Sequence, residues 1–217
     1  MAARLTDLIK ETDLRRGIRV LELGAGTGVV GITAAMMGAN VLLTDLPSVV
    51  EDSLLTSIAH NSERVYGHVV QGIGNPWHKE AQRVGNGTCY ATALDWEKSI
   101  TKNSAETGFE FCNKLEVILS SESVWLKELI KPFVSTFSEL LKHRDSPVVG
   151  YMCTRDRTSH TSKYFANPNE VVHALESNGC KVDLLFKEAS SEDEGRDVHF
   201  YRVVGCQTES TKQQLRN

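Results

Sequence analysis

Long hydrophobic runs are missing from this 217-residue chain. A bilayer-spanning helix needs roughly 20 consecutive apolar residues. The most apolar window, Val29 to Leu43, is broken by Gly31, Thr33, Gly38 and Asn40. The start, Met-Ala-Ala-Arg-Leu-Thr-Asp, has no basic-then-apolar leader, so neither a membrane partner nor a signal peptide is expected. A large excess of charge is missing too. Lys+Arg 24 against Asp+Glu 28 leave −4, which argues against a general nucleic-acid partner, because phosphate neutralisation wants a basic face. Cysteine is sparse: Cys89, Cys112, Cys153, Cys180 and Cys206 are odd in number and never form C-x-x-C. A zinc site or a disulfide framework is therefore not expected, and reduced thiols in the cytoplasm or nucleus are. The seven histidines are scattered without metal-ligand spacing. What is present is 41% apolar residues, enough for one core. The expectation is a single domain over 1–206 with a polar tail over 207–217.

Apolar periodicity organises that domain. Leu5, Leu8, Ile9 and Leu14 read as one short amphipathic helix ending before Gly17. Ile18 to Leu23 reads as a buried strand, Val29 to Met37 as a helix stopped by Gly38, and Val41 to Thr44 as a second strand. Ser48 is placed to cap a helix from about Val49 to His60. Strand–helix–strand–helix in so short a span is the pattern of a parallel α/β sheet. Further on, Val65 to Val70 fits a strand or a helix end, and Gly72 to Gly87 and Glu97 to Asn113 read as loops. Thr88 to Leu94, Leu115 to Leu119 and Pro147 to Cys153 read as strands. Helices are expected over Leu126 to Lys142, interrupted near Pro132, and over Pro168 to Ser177. Lys181 to Lys187 and Val198 to Val204 are joined only by the acidic turn Ser190 to Gly195. Strands linked that briefly pair antiparallel.

The chemistry concentrates in Glu22-Leu-Gly24-Ala-Gly26-Thr-Gly28, where a strand gives way to a glycine turn and a helix. Glycines let backbone approach a ligand, and a helix start offers free N–H groups. Asp45 follows Gly24 by 21 residues, at the end of the next strand, where a carboxylate can accept both ribose hydroxyls of a nucleoside. Gly26-Thr-Gly-Val-Val-Gly31 also matches the dinucleotide pattern G-x-G-x-x-G. Charge separates the two readings. Glu22, directed from its strand towards the turn, would repel a diphosphate and favour a cationic amino-acid group, so a sulfonium methyl donor is preferred.

Val20-Leu-Glu-Leu-Gly-Ala-Gly-Thr-Gly28, with Gly31-Ile32 and Asp45-Leu46, resembles the seven-β-strand (class I) methyltransferases. Ala93-Leu-Asp-Trp96 is similar to the L-D-W motif of the protein-lysine methyltransferases that act on chaperones and elongation factors. The resemblance implies a Rossmann-like fold: a mostly parallel seven-stranded sheet with an antiparallel last strand and helices on both faces. It implies S-adenosylmethionine as cofactor, with Gly24, Ala25 and Gly26 at its methionine end, Asp45 at the ribose, and Glu22, Gly28 and Leu46 also among the cofactor-binding residues. Asp95 and Trp96 would stand near the adenine, with Ser121 touching the cofactor. A monomeric, cytoplasmic enzyme acting on a lysine of a protein substrate, a chaperone or translation factor, is the implied function.

Two features depart from that pattern. The family's Asp-x-x-Tyr after the fourth strand is here Glu122-x-x-Trp125. Glu122 is read as the group that orients the acceptor and Trp125 as an aromatic channel wall, with Glu122 as a helix cap the alternative. A related Ser-Glu-x-x-Tyr pattern in histidine methyltransferases leaves histidine, or a small molecule, as alternative acceptor. The family also has a strand and a Trp-containing segment ahead of the first helix, whereas this chain starts almost at that helix. A truncated chain, an open pocket front, or a methyltransferase-like binding protein without activity, is the corresponding expectation. Arg155-Asp-Arg157 and His160 read as a solvated loop on the cofactor edge, with peptide contact as the alternative.

Overall fold

The computed structural model describes residues 1–65, 81–98, 112, 114–142, 147–156, 163–189 and 197–205. Eight strands form one sheet: β1 Arg19–Leu23, β2 Asn40–Asp45, β3 Gln82–Val84, β4 Gly87–Ala93, β5 Val117–Ser121, β6 Val149–Arg155, β7 Cys180–Glu188 and β8 Val198–Gly205. Their order is β3-β4-β2-β1-β5-β6-β8-β7. The run β4-β2-β1-β5-β6 is parallel, whereas β8 pairs antiparallel with both β6 and β7. The reversed strand expected from the short final connection is therefore present.

Alternate residues of each central strand feed two separate cores, as the period of two requires. Val20, Val41, Leu43, Val117 and Leu119 join one cluster with Leu5, Leu14, Leu54 and Ile58. Leu21, Leu23, Leu42 and Ile118 join the other with Phe133, Phe137, Val171 and Leu175. Helices α1 Leu5–Leu8, α2 Glu11–Arg15, α3 Val29–Met36 and α5 Leu55–Val65 belong to the first side, and α4 Pro47–Val49, with no buried residue, leads into Val50 of that cluster. Helices α6 Ile130–Lys142 and α7 Pro168–Ser177 cover the second. Burial on both faces is why these strands read as near-continuous apolar runs.

Several local expectations change. Residues 82–84, inside the expected loop, form an edge strand whose Val84 pairs with Gly87 across a two-residue turn, making eight strands rather than seven. The first amphipathic segment is two helices, because Ile9 is extended between them (φ −124°, ψ 127°). Ser48 lies within the first turn of α4 and Leu46 occupies the cap position. The chain then widens into a π turn, Val50–Leu54, before α5. Pro132 sits in the first turn of α6 and does not interrupt it, since its absent N–H is one that a helix start leaves unused anyway. The expectations for Val65 to Val70, Gly72 to Glu80, most of Glu97 to Asn113, Arg157, His160, the acidic turn 190–195, Cys206 and the tail fall wholly or mainly outside the described residues.

β1 has β2 on one side and β5 on the other, so successive crossovers leave it in opposite directions. Ligands of open α/β sheets bind at the carboxyl ends of the strands at such a switch point.

Candidate active site

A cavity of about 820 Å³ opens at that point. Its wall includes Gly24, Ala25, Gly26, Asp45, Leu46, Asp95, Trp96, Ser121, Glu122 and Trp125, ten of the twelve residues singled out from the sequence. Four separate connections deliver them: β1–α3, β2–α4, the segment after β4, and the segment after β5.

The glycine turn is held from both sides. Gly24 and Gly26 have φ of +63° and +57°, conformations that a side chain resists. The Ala25 N–H donates to the Thr44 carbonyl at 3.0 Å, and the Gly26 N–H donates to Asp45 Oδ2 at 2.8 Å. The other oxygen, Oδ1, accepts from the Leu46 N–H at 2.8 Å. A carboxylate offers about four lone-pair sites, so two acceptor positions remain on a side chain fixed by its own backbone. A Cβ built on Gly26 would meet nothing within 4 Å, so the turn presents bare backbone to open space.

Trp96 packs against the turn from the opposite wall. A Cβ on Gly24 would lie 3.1 Å from Trp96 Cζ2 and 2.7 Å from Ser123 Cβ. The indole is steadied edge-on by Phe133, with centroids 5.2 Å apart. Asp95 accepts from the Glu97 N–H at 3.0 Å and pairs with Lys98 at 3.0 Å. The Lys98 contact first, then that N–H, hold its carboxyl below the ordinary range. Ser123, absent from the sequence expectations, ties the two halves of the site together: its hydroxyl donates to the Leu23 carbonyl at 2.8 Å and accepts from Ser120 Oγ at 3.1 Å.

Glu122 is the single non-glycine residue with positive φ among the described residues, at +58°. Its N–H donates to the Cys153 carbonyl at 2.9 Å. It is not a helix cap, because residues 123–125 are irregular and the next helical turn starts at Lys127. Trp125 is at once part of the wall and 44% exposed.

Glu22 and Gly28 lie outside the wall. Alternation along β1 turns Glu22 under α3, where it is 2% exposed and accepts the Gly31 N–H at 2.8 Å. Burial raises its pKa from 4.5 to about 8. Glu22 therefore does not present a carboxylate to the cavity. Among the described residues, the charged ones of the wall are Asp45, Asp95, Glu97 and Glu122, all acidic.

A family profile described as lysine methyltransferase matches residues 3–171. The chain belongs to that lysine methyltransferase family. Among relatives, it is 53% identical to the protein N-lysine methyltransferase METTL21A of Danio rerio over 189 residues, 87% of this chain and 67% of that one. It is 48% identical to the protein-lysine N-methyltransferase rrg1 of Schizosaccharomyces pombe over 60 residues, 27% of this chain. That match spans only 20% of the yeast protein's length. The chain also shares its fold with magnesium protoporphyrin IX methyltransferase (ChlM) from Synechocystis PCC 6803, solved with bound SAM. The TM-score is 0.56 at 14% identity, covering 94% of this chain and 76% of that one.

Proposed function

We propose that the protein transfers a methyl group from S-adenosylmethionine to a lysine side chain of a protein substrate. The observation that carries this reading is the charge of the cavity wall, acidic at every charged position among the described residues, around a glycine turn whose Gly26 amide is already taken by Asp45. A diphosphate would meet carboxylates where it needs donors; a ligand with a cationic amino-acid end and no phosphate would not. The residues present fit such a cofactor: Asp45 has acceptor sites for ribose hydroxyls, Trp96 and Leu46 offer apolar faces, and the Gly24–Gly26 turn admits close approach. When bound, the cofactor supplies an electrophilic methyl group on a sulfonium.

The chain's own part is positioning. In-line displacement depends mainly on alignment and on a neutral nucleophile. Glu122 draws an incoming ammonium to the wall, and Trp125 gives it an aromatic face. An ordinary lysine, with pKa near 10.4, must then lose its proton. Solvent exclusion by Trp125, Leu126, Leu129 and Pro132, which complete that side of the cavity, favours the neutral amine.

The same reading has a single domain acting as a cytoplasmic monomer on a protein such as a chaperone or translation factor, without a nucleic-acid or membrane partner. Among the described residues Cys89 and Cys153 form no disulfide, in keeping with a reducing compartment. Among the described residues no helix is long and apolar enough to cross a membrane. The test is incubation of the purified protein with cell extract and methyl-labelled S-adenosylmethionine, followed by hydrolysis of the labelled protein. Label in methyl-lysine is expected. Label in methyl-histidine would overturn the choice of lysine, label in small molecules alone would overturn the protein substrate, and no label would overturn the activity.

A further inference from the structure

One hydroxyl on the cavity wall has more acceptors within reach than it has protons. Ser123 lines the wall, and its Oγ lies 2.8 Å from the Leu23 carbonyl, 3.3 Å from the Gly24 carbonyl and 3.4 Å from the Ser121 carbonyl. A serine hydroxyl has a single proton to give. The shortest contact takes it, so Ser123 donates to Leu23. The Gly24 carbonyl, which meets no other hydrogen-bond donor among the described residues, keeps its lone pairs. Gly24 is itself part of the wall.

The backbone sets the hydroxyl in this place. β5 lies beside β1 with Ser120 opposite Leu23. Past Ser121 the chain reverses at Glu122, where φ is +58°, and Ser123 comes back over the end of β1 to accept from Ser120 Oγ at 3.1 Å. Ser120 is buried, so its proton stays on Ser123 and leaves the Ser123 proton for the carbonyls. A Cβ built on Gly24 would lie 2.9 Å from Ser123 Oγ and 3.1 Å from Trp96 Cζ2. The Gly24 peptide is therefore clamped between a hydroxyl and an indole, and such support fixes where a binding group stands.

Resting on the methyltransferase reading above, we propose that Ser123 is a positioning residue for the amino-acid end of the cofactor. By holding the Leu23–Gly24 peptide, it keeps the Gly24 carbonyl set to accept from the cofactor's ammonium group. An ammonium has three donors and no acceptor, so it needs oxygens with lone pairs to spare. The Gly24 carbonyl is such an oxygen, because the hydroxyl beside it is spent on Leu23. The adenosine end is served separately: Asp45 is held by the Gly26 and Leu46 amides. Removing the Ser123 hydroxyl therefore acts on one end of the ligand and spares the other.

The experiment titrates the full chain and its Ser123→Ala variant, by calorimetry, with two ligands. One is S-adenosylhomocysteine; the other is methylthioadenosine, which keeps the adenosine and the thioether but lacks the amino-acid end. Ser123→Ala should bind S-adenosylhomocysteine about ten-fold more weakly, the scale of one hydrogen bond to a charged group, and methylthioadenosine within about two-fold of wild type. Methylthioadenosine binding also reports that the variant is folded. An equal loss for both ligands would show that Ser123 only holds the pocket together, and no loss for either would show the hydroxyl to be idle; each result overturns the proposal while leaving the methyltransferase reading in place. Failure of the wild-type chain to bind either ligand would defeat that reading and the role of Ser123 with it.

Discussion

Glu122 occupies a left-handed backbone conformation that costs a side-chain-bearing residue about 1–2 kcal/mol, on the wall of the cavity. Strain kept at such a place is tied to what the side chain does there. Glu122→Gly removes both the strain and the carboxylate, so stability and activity are expected to part company. The melting temperature should hold or rise, while methyl transfer falls about 100-fold, the scale of losing alignment; a parallel fall in both would show a merely structural role. Asp45 makes the complementary case. Asp45→Ala leaves the Gly26 and Leu46 amides without their acceptor, and S-adenosylhomocysteine affinity should drop about 10- to 100-fold by calorimetry, as expected for a lost charged hydrogen bond. The place of Asp45 beside the glycine turn was legible in the sequence, because its spacing from the glycines is fixed by one strand–helix–strand unit. Ser123 was not: its role arises only when β5 is laid beside β1, a contact no local pattern reports.

At the scale of elements, α3 rests on a buried acid. In the unfolded chain Glu22 ionises near 4.5, and under α3 it keeps its proton to about 8. Between those values the folded state binds more protons than the unfolded one, so stability is greatest on the acid side and declines as pH rises through the window. Glu22→Gln keeps an acceptor for the Gly31 N–H and has nothing to ionise. Its unfolding free energy should exceed the wild-type value by about 1 kcal/mol or more at pH 9, with a flatter profile from pH 6, in denaturant titrations; parallel profiles would contradict this. On the other face, a Cβ on Gly150 of β6 would come within 2.4 Å of Phe137 Cζ of α6. Gly150→Ala should cost about 1–3 kcal/mol in the same titrations and leave cofactor affinity unchanged. The strands were readable because burial on two faces writes apolar runs into the sequence. The short edge strand β3 was not, since three residues carry too little pattern, although Gly85-Asn86 before Gly87 is itself a hairpin signal. The periodicity of Leu5 to Leu14 was sound in burial but silent about the break at Ile9, where one apolar face is shared by two helices.

Across the whole molecule, the order of the strands brings together residues from four connections, and the negative charge they share among the described residues favours a cationic ligand over a diphosphate. The sequence pointed to Glu22 for that charge; among the described residues the wall carries it on Asp45, Asp95, Glu97 and Glu122 instead. The conclusion was legible while the responsible residue was not, because strand alternation, invisible in a motif, decides which side of β1 faces the turn. The most direct test of the account is calorimetric titration of the purified protein with S-adenosylhomocysteine and, in parallel, with NAD⁺. Saturable one-to-one binding of S-adenosylhomocysteine with no heat from NAD⁺ is predicted. Binding of NAD⁺, or none of S-adenosylhomocysteine, would contradict the claim that this cavity is built for a cationic, phosphate-free cofactor.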